Sequence, residues 1–123
     1  MRADDVTRAV IGAAIRVHRE LGPGLLESSY EACLHYELTQ AGFVVERQKK
    51  LPLIYKGVRL QCGYRMDLVV NDTLVVELKA VERIERIHVA AVLTYLKLSR
   101  HSIALLINFN VPVLKNGIQR LVL

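Results

Sequence analysis

Between Arg65 and Val81 the chain reads RMDLVVNDTLVVELKAV, two β-branched apolar runs around a short polar turn. Such a segment reads as a β-hairpin whose strands are mostly buried. It also carries Asp67, Glu77 and Lys79, and ionised groups among valines and leucines are costly to bury unless something pairs with them. Whatever fold forms must solve that problem.

Alternation along a strand puts Glu77 and Lys79 on one face and Leu78 on the other. If NDT is a three-residue loop, Val70 pairs with Leu74 and Asp67 comes opposite Glu77. A two-residue loop would send the two acids to opposite faces. In the odd register two carboxylates face each other about 5 Å apart, which destabilises a bare sheet. A magnesium or manganese ion would relieve it, because hard cations take oxygen ligands and are held by one or two carboxylates with water and substrate phosphate. The donors would be Asp67, Glu77 and the backbone carbonyl of Leu78. Lys79 is then placed to orient water or to neutralise charge on a phosphate. The plainer alternative is a surface hairpin whose Lys79 simply pairs with the acids.

The surrounding chain predicts an α/β domain spanning residues 1–123. From Asp4 or Asp5, apolar Val6, Ala9, Val10, Ala13, Val17 and Leu21 keep helical spacing until Gly22 and Pro23. A second helix begins near Leu25 or Leu26 and ends before Gly42. Strands are expected at 51–55, 58–70 and 74–81, forming an antiparallel meander bent near Gly63, with FVVERQ also extended. A helix over 82–99 would cover the sheet. The apolar run SIALLINF then reads as a buried strand, returned parallel to an earlier one by a right-handed crossover. KNG reads as a last turn before a short strand.

With 52% apolar and 24% charged residues, nothing suggests disorder. The net charge of +5 favours approach to polyanions, nucleic acid first among them. ERQKKLPLIYKGVR concentrates Arg47, Lys49, Lys50, Lys56 and Arg59 against one acid, either as a nucleic-acid contact surface or as a strand edge guarded by lysines. Cys33 and Cys62 match no zinc spacing and suit a reducing, cytoplasmic setting. MRADDVTRAV has no signal-peptide core, and apolar runs are too short for a membrane span. No phosphate-binding glycine loop is present.

An aspartate in one strand and ExK in the next resembles the PD-(D/E)XK nuclease superfamily, although Met66 stands where its name has proline. Gly24, Glu27 and Tyr30, with YKG, DLVV, VELKA, YLKL, LLINF and LKNGIQR, resemble the GxxExxY family within it. The resemblance implies a restriction-endonuclease-like core with a mixed central sheet flanked by helices. It implies metal-dependent hydrolysis of nucleic-acid phosphodiester bonds, with Asp67, Glu77 and Lys79 as the centre and Glu27 as a further catalytic or metal-binding acid. Without the resemblance, Glu27 is equally well a first-turn acid and Tyr30 a core aromatic. The family pattern has glutamine where this chain has Ala91, one helical turn after His88. That departure favours the alternative of a non-catalytic module binding nucleic acid or a protein. No further recognition segment is visible, so gripping a duplex calls for self-association or a partner.

Overall fold

The computed structural model describes residues 1–123. Helix α1 (Ala3–Leu21) begins with Asp4 and Asp5 in its first turn and carries Arg19 in its last, charges that complement the helix dipole at both ends. Gly22 stops it at φ +70. Helix α2 (Glu27–Gln40) follows, and the two lay Val6, Val10, Ala13, Val17, Tyr30, Leu34 and Leu38 against one face of the sheet.

That sheet has five strands: β1 (Val45–Lys50), β4 (Arg65–Val70), β5 (Leu74–Lys79), β6 (Ile103–Asn108) and β7 (Ile118–Val122), in that spatial order. Between β1 and β4 in the chain, β2 (Leu53–Tyr55) and β3 (Val58–Leu60) form a separate two-stranded hairpin. All pairs within the sheet are antiparallel except β5 with β6. The connection between those two runs through α3 (Arg86–Ser99), which packs on the opposite face with Leu51, Met66, Val69, Val75, Ala104 and Leu106. With helices on both sides, all six residues of β6 are buried, which is why SIALLINF is apolar without alternation.

The architecture is the expected mixed α/β one, with two local corrections. The stretch 58–70 is not one strand. It breaks at Gln61–Tyr64, where Gly63 takes φ +78, so 51–55 and 58–60 leave the sheet and β1 becomes the partner of β4. The third helix starts at Arg86, not Glu82, because Asn108 holds the preceding chain: its side chain accepts from Val81 N at 3.1 Å and donates to Val81 O at 2.9 Å. Glu85 and His88 then close a capping box. The KNG turn is a single 3₁₀ turn over Leu114–Gly117.

Gly117 lies against the carbonyl of Asn108 and the Val111 side chain, so an added Cβ would collide with backbone that cannot yield cheaply. Gly117→Ala should therefore cost about 1–3 kcal/mol in denaturant unfolding. In Gly12→Ala, within α1, the new methyl meets only the flexible end of Arg16 at 3.6 Å. That change should instead stabilise by about 0.5–1 kcal/mol.

Candidate active site

The turn between β4 and β5 sets everything that follows. Asn71 and Asp72 both take left-handed φ, 51 and 49, as the mirror-image hairpin turn requires, and Thr73 N donates to Val70 O at 3.0 Å. Thr73 makes the loop odd. Val70 pairs with Leu74, Val69 with Val75 and Leu68 with Val76, and the ladder stops there.

Beyond it the strands fork, and each carboxylate takes the place of the missing backbone partner. Asp67 N donates to Glu77 Oε1 at 2.9 Å, and Leu78 N donates to Asp67 Oδ2 at 2.8 Å. The two acids therefore fold into the gap between the strands and do not stand out from one face. On the other side of β4, the pairing with β1 skips Gln48 and Asp67, and Gln48 takes φ +50. Strict alternation fails here, for Met66 and Val69 both pack on the α3 side.

Only 5% of Glu77 is exposed. Its carboxyl is pushed up to about 8, first by burial and then by the Asp67 carboxylate, with the Asp67 N–H and the Lys79 charge pulling less strongly the other way. Asp67 is raised as well, mainly by burial and further by Glu31, against the Leu78 N–H, Gln48 and Lys79. Leu78 turns its side chain into the α1/α2 core, which leaves Glu77 and Lys79 on the α3 side of β5. Tyr95 of α3 feels both acids, its phenol raised by burial, then by Glu77 and Asp67.

Glu27 is exposed at the first position of α2 and lines a cleft of about 340 Å³ together with Ser28, Glu31, Gln48, Arg65, Asp67 and Leu78. Its position follows from a latch. Tyr30 is fully buried, stacks on Phe109 with centroids 4.4 Å apart, donates its hydroxyl to Gly22 O at 2.6 Å and accepts from Leu25 N at 3.1 Å. Gly24, at φ +101, supplies the backbone that a side chain would oppose.

Glu31 belongs to the same site and sequence reasoning missed it. It is buried, accepts from Gln48 Nε2 at 2.6 Å and pairs with Arg47 at 3.1 Å, while Gln48 also donates to Asp67 Oδ1 at 3.2 Å. One turn after Glu27, it could have been found by the i, i+4 spacing. Among the basic candidates, Arg47 is thus committed to Glu31, and Lys49 to Glu46 at 3.0 Å. Lys50, Lys56 and Arg59 form no ion pair with an acid. His88 serves the capping box, its Nδ1 accepting from Glu85 N at 2.8 Å. Ala91 stands one turn before Tyr95 on the helix stripe that meets the acids. No three Asp, Glu, His or Cys side chains converge on one point.

The raised acids make stability depend on pH with a definite sign. Glu77 keeps its proton in the folded chain between the ordinary 4.5 and about 8, whereas the unfolded chain loses it. Its contribution is whole below 4.5 and is lost as pH rises to about 8. In metal-free buffer, Tm should fall over that window, and Glu77→Gln should flatten the profile.

A search of curated proteins and a search of solved structures each return no match. Residues 4–121 match the family model of the PD-(D/E)XK nuclease superfamily, a span that takes in the fork, α2, α3 and all of the sheet but its last residue. No helix is long and apolar enough to cross a membrane. By the match over nearly its full length, and with the mixed sheet and flanking helices that such a core requires, the chain belongs to the PD-(D/E)XK nuclease superfamily.

Proposed function

We propose that this protein is a magnesium- or manganese-dependent nuclease that hydrolyses phosphodiester bonds in DNA, and that it is a GxxExxY-type member of its superfamily. The observation that carries the reading is the pair Asp67 and Glu77, two carboxylates pressed together in a half-dry fork until both resist ionisation. A structural ion pair would lower such groups, whereas here the local cation, Lys79, falls short of offsetting burial and mutual repulsion.

The donor set fits a hard divalent cation. Asp67 and Glu77 supply carboxylate oxygens, and the Leu78 carbonyl faces the same gap, since its N–H already points at Asp67 and the two groups of a strand residue point to one edge. Three protein oxygens leave room for water and phosphate, the usual manner of holding magnesium. When bound, the ion neutralises phosphate charge and makes water a better nucleophile. Lys79, on the Glu77 side of β5, stabilises negative charge that develops on the phosphate. Glu27, at the mouth of the cleft, can accept a proton or orient water. Glu31 and Gln48 act through Asp67, holding its Oδ1 in place. Cys33 and Cys62 are both free thiols, as a reducing compartment would keep them.

Ala91 favours one second reading, a nuclease fold retained for binding, because a methyl group offers neither water nor phosphate a hydrogen bond. Calorimetry and cleavage separate the two. The wild type should bind magnesium and manganese and cleave labelled DNA only with them, and Asp67→Ala should lose both. Lys79→Ala should keep the ion yet cleave about 10²-fold more slowly. Ion binding without cleavage would favour the binding module, and the absence of ion binding would overturn the metal site.

A further inference from the structure

The hairpin of β2 and β3 stands apart from the sheet, and nothing in the fold covers it. Its base is fixed: Leu51 is buried in the α3-side core, and its N–H donates to Tyr64 O at 2.9 Å. The Tyr64 ring in turn lies 6.2 Å from that of Tyr95, the aromatic residue beside the acids. Beyond that base, two short strands carry apolar side chains into solvent. Tyr55 is 57% exposed, Val58 55% and Ile54 54%. An isolated two-stranded hairpin is marginally stable in water, so an arm of this kind wants a partner.

Charge identifies the partner. From Arg47 to Met66 the chain has six cations and no acid. Of these, Lys50, Lys56, Arg59 and Arg65 form no ion pair with a carboxylate. Their places are ordered. Lys56 is at the hairpin tip with its ammonium 5.5 Å from the Tyr55 ring centroid, and Arg59 is on β3. Lys50 and Arg65 pair across β1 and β4 and line a second cleft of about 480 Å³ with Gln61, Gly63 and Tyr64. Arg65 also lines the acid cleft with Asp67, two residues and about 6.6 Å further along the strand. A basic track thus runs from the arm's tip to the fork. A second copy of the same arm would meet it with like charge, so self-association through this face is disfavoured.

Phosphates alone would leave Tyr55 and Ile54 exposed, since an uninterrupted duplex offers the arm sugar, phosphate and polar base edges. The broadest apolar surface on a nucleic acid is the flat face of a base, and an unpaired or frayed base presents it without the cost of unstacking a duplex. Resting on the nuclease reading above, we infer that the β2–β3 arm binds single-stranded nucleic acid, or the single-stranded part of a junction. Lys56 and Arg59 contact phosphates there, Tyr55 stacks on an unpaired base, and Lys50 and Arg65 lead the strand to Asp67 and Glu77.

Fluorescence anisotropy in EDTA, which suppresses cleavage, tests this with three labelled DNAs: a single strand, a blunt duplex and a duplex with a single-stranded tail. The wild type should prefer the first and third. Tyr55→Ala should weaken those two roughly ten-fold or more and leave the blunt duplex unchanged, while Tyr55→Phe should bind as wild type. Lys56→Gln with Arg59→Gln should weaken all three and lower the salt slope of log Kd by about 2. Wild-type affinity in both the alanine variant and the double variant would overturn the proposal. So would an equal loss on the blunt duplex in Tyr55→Ala, or a dimer by light scattering that Val58→Lys dissolves without affecting DNA binding. A calorimetric magnesium titration of the same proteins, without EDTA or DNA, separates the two readings. Ion binding with an inert arm removes the arm alone, and an active arm without ion binding removes the nuclease reading while the arm's role stands.

Discussion

The two hydrogen bonds that cross the fork, from Asp67 N to the Glu77 carboxylate and from Leu78 N to the Asp67 carboxylate, hold the centre of this molecule in its shape. Backbone N–H groups in a buried gap must find acceptors. Here the acceptors are the very groups that are awkward to bury. Because side chains stand in for ladder carbonyls, β4 and β5 can separate without leaving orphaned donors. That separation opens the cleft, and the displaced Gln48 bridges it to Glu31. Removing either carboxylate would strand an N–H of the opposite strand, so structure and candidate chemistry depend on the same atoms.

Around that fork the remaining devices act as stops. Asn108 ends β6 and grips Val81, fixing where β5 leaves the sheet just after Lys79. Phe109 N donates to Lys79 O at 2.9 Å, which prevents rotation of that last peptide. Tyr30 stacks on Phe109, so the loop before α2 and the end of β6 share one aromatic contact, and Glu27 is referred to the same frame as Lys79. Rigid support of this kind is what a site with strained electrostatics requires, since the raised acids would otherwise swing out to water and relax.

Much of this was legible in the residues. The buried strands, two helices able to pack on the sheet and the parallel return of SIALLINF follow from periodicity, because burial and alternation act locally; the NDT loop stood open between two and three residues until the pairing of Val70 with Leu74 decided it. What was not legible depended on groups distant in sequence. Alternation predicts that Asp67 and Glu77 share a face, yet bonds to opposite backbones draw them into the gap. The hairpin pattern of 51–70 reads as continuous strand, but Gln61–Tyr64 interrupts it and β1 takes the place beside β4. Glu31 looks like any acid on an amphipathic helix until Arg47 and Gln48 arrive from another element. Asn108 ends an apolar run, and nothing in its neighbours announces that it will hold a segment 27 residues away.

The break in the strand also bears on charge. Had 58–70 continued as one strand, its arginines would have been distributed along a sheet edge, facing solvent on two sides. Ejecting β2 and β3 gathers Lys56 and Arg59 on an arm, and leaves Lys50 and Arg65 as neighbours at its foot. A cleft with Glu27, Glu31 and Asp67 on its walls repels a polyanion, and a basic approach beside it offsets that repulsion over the screening distance of about 8 Å. The separation of signs is therefore a consequence of topology: acids converge where two strands fork, and cations collect on, and at the foot of, the segment that the break at Gln61–Tyr64 releases from the sheet.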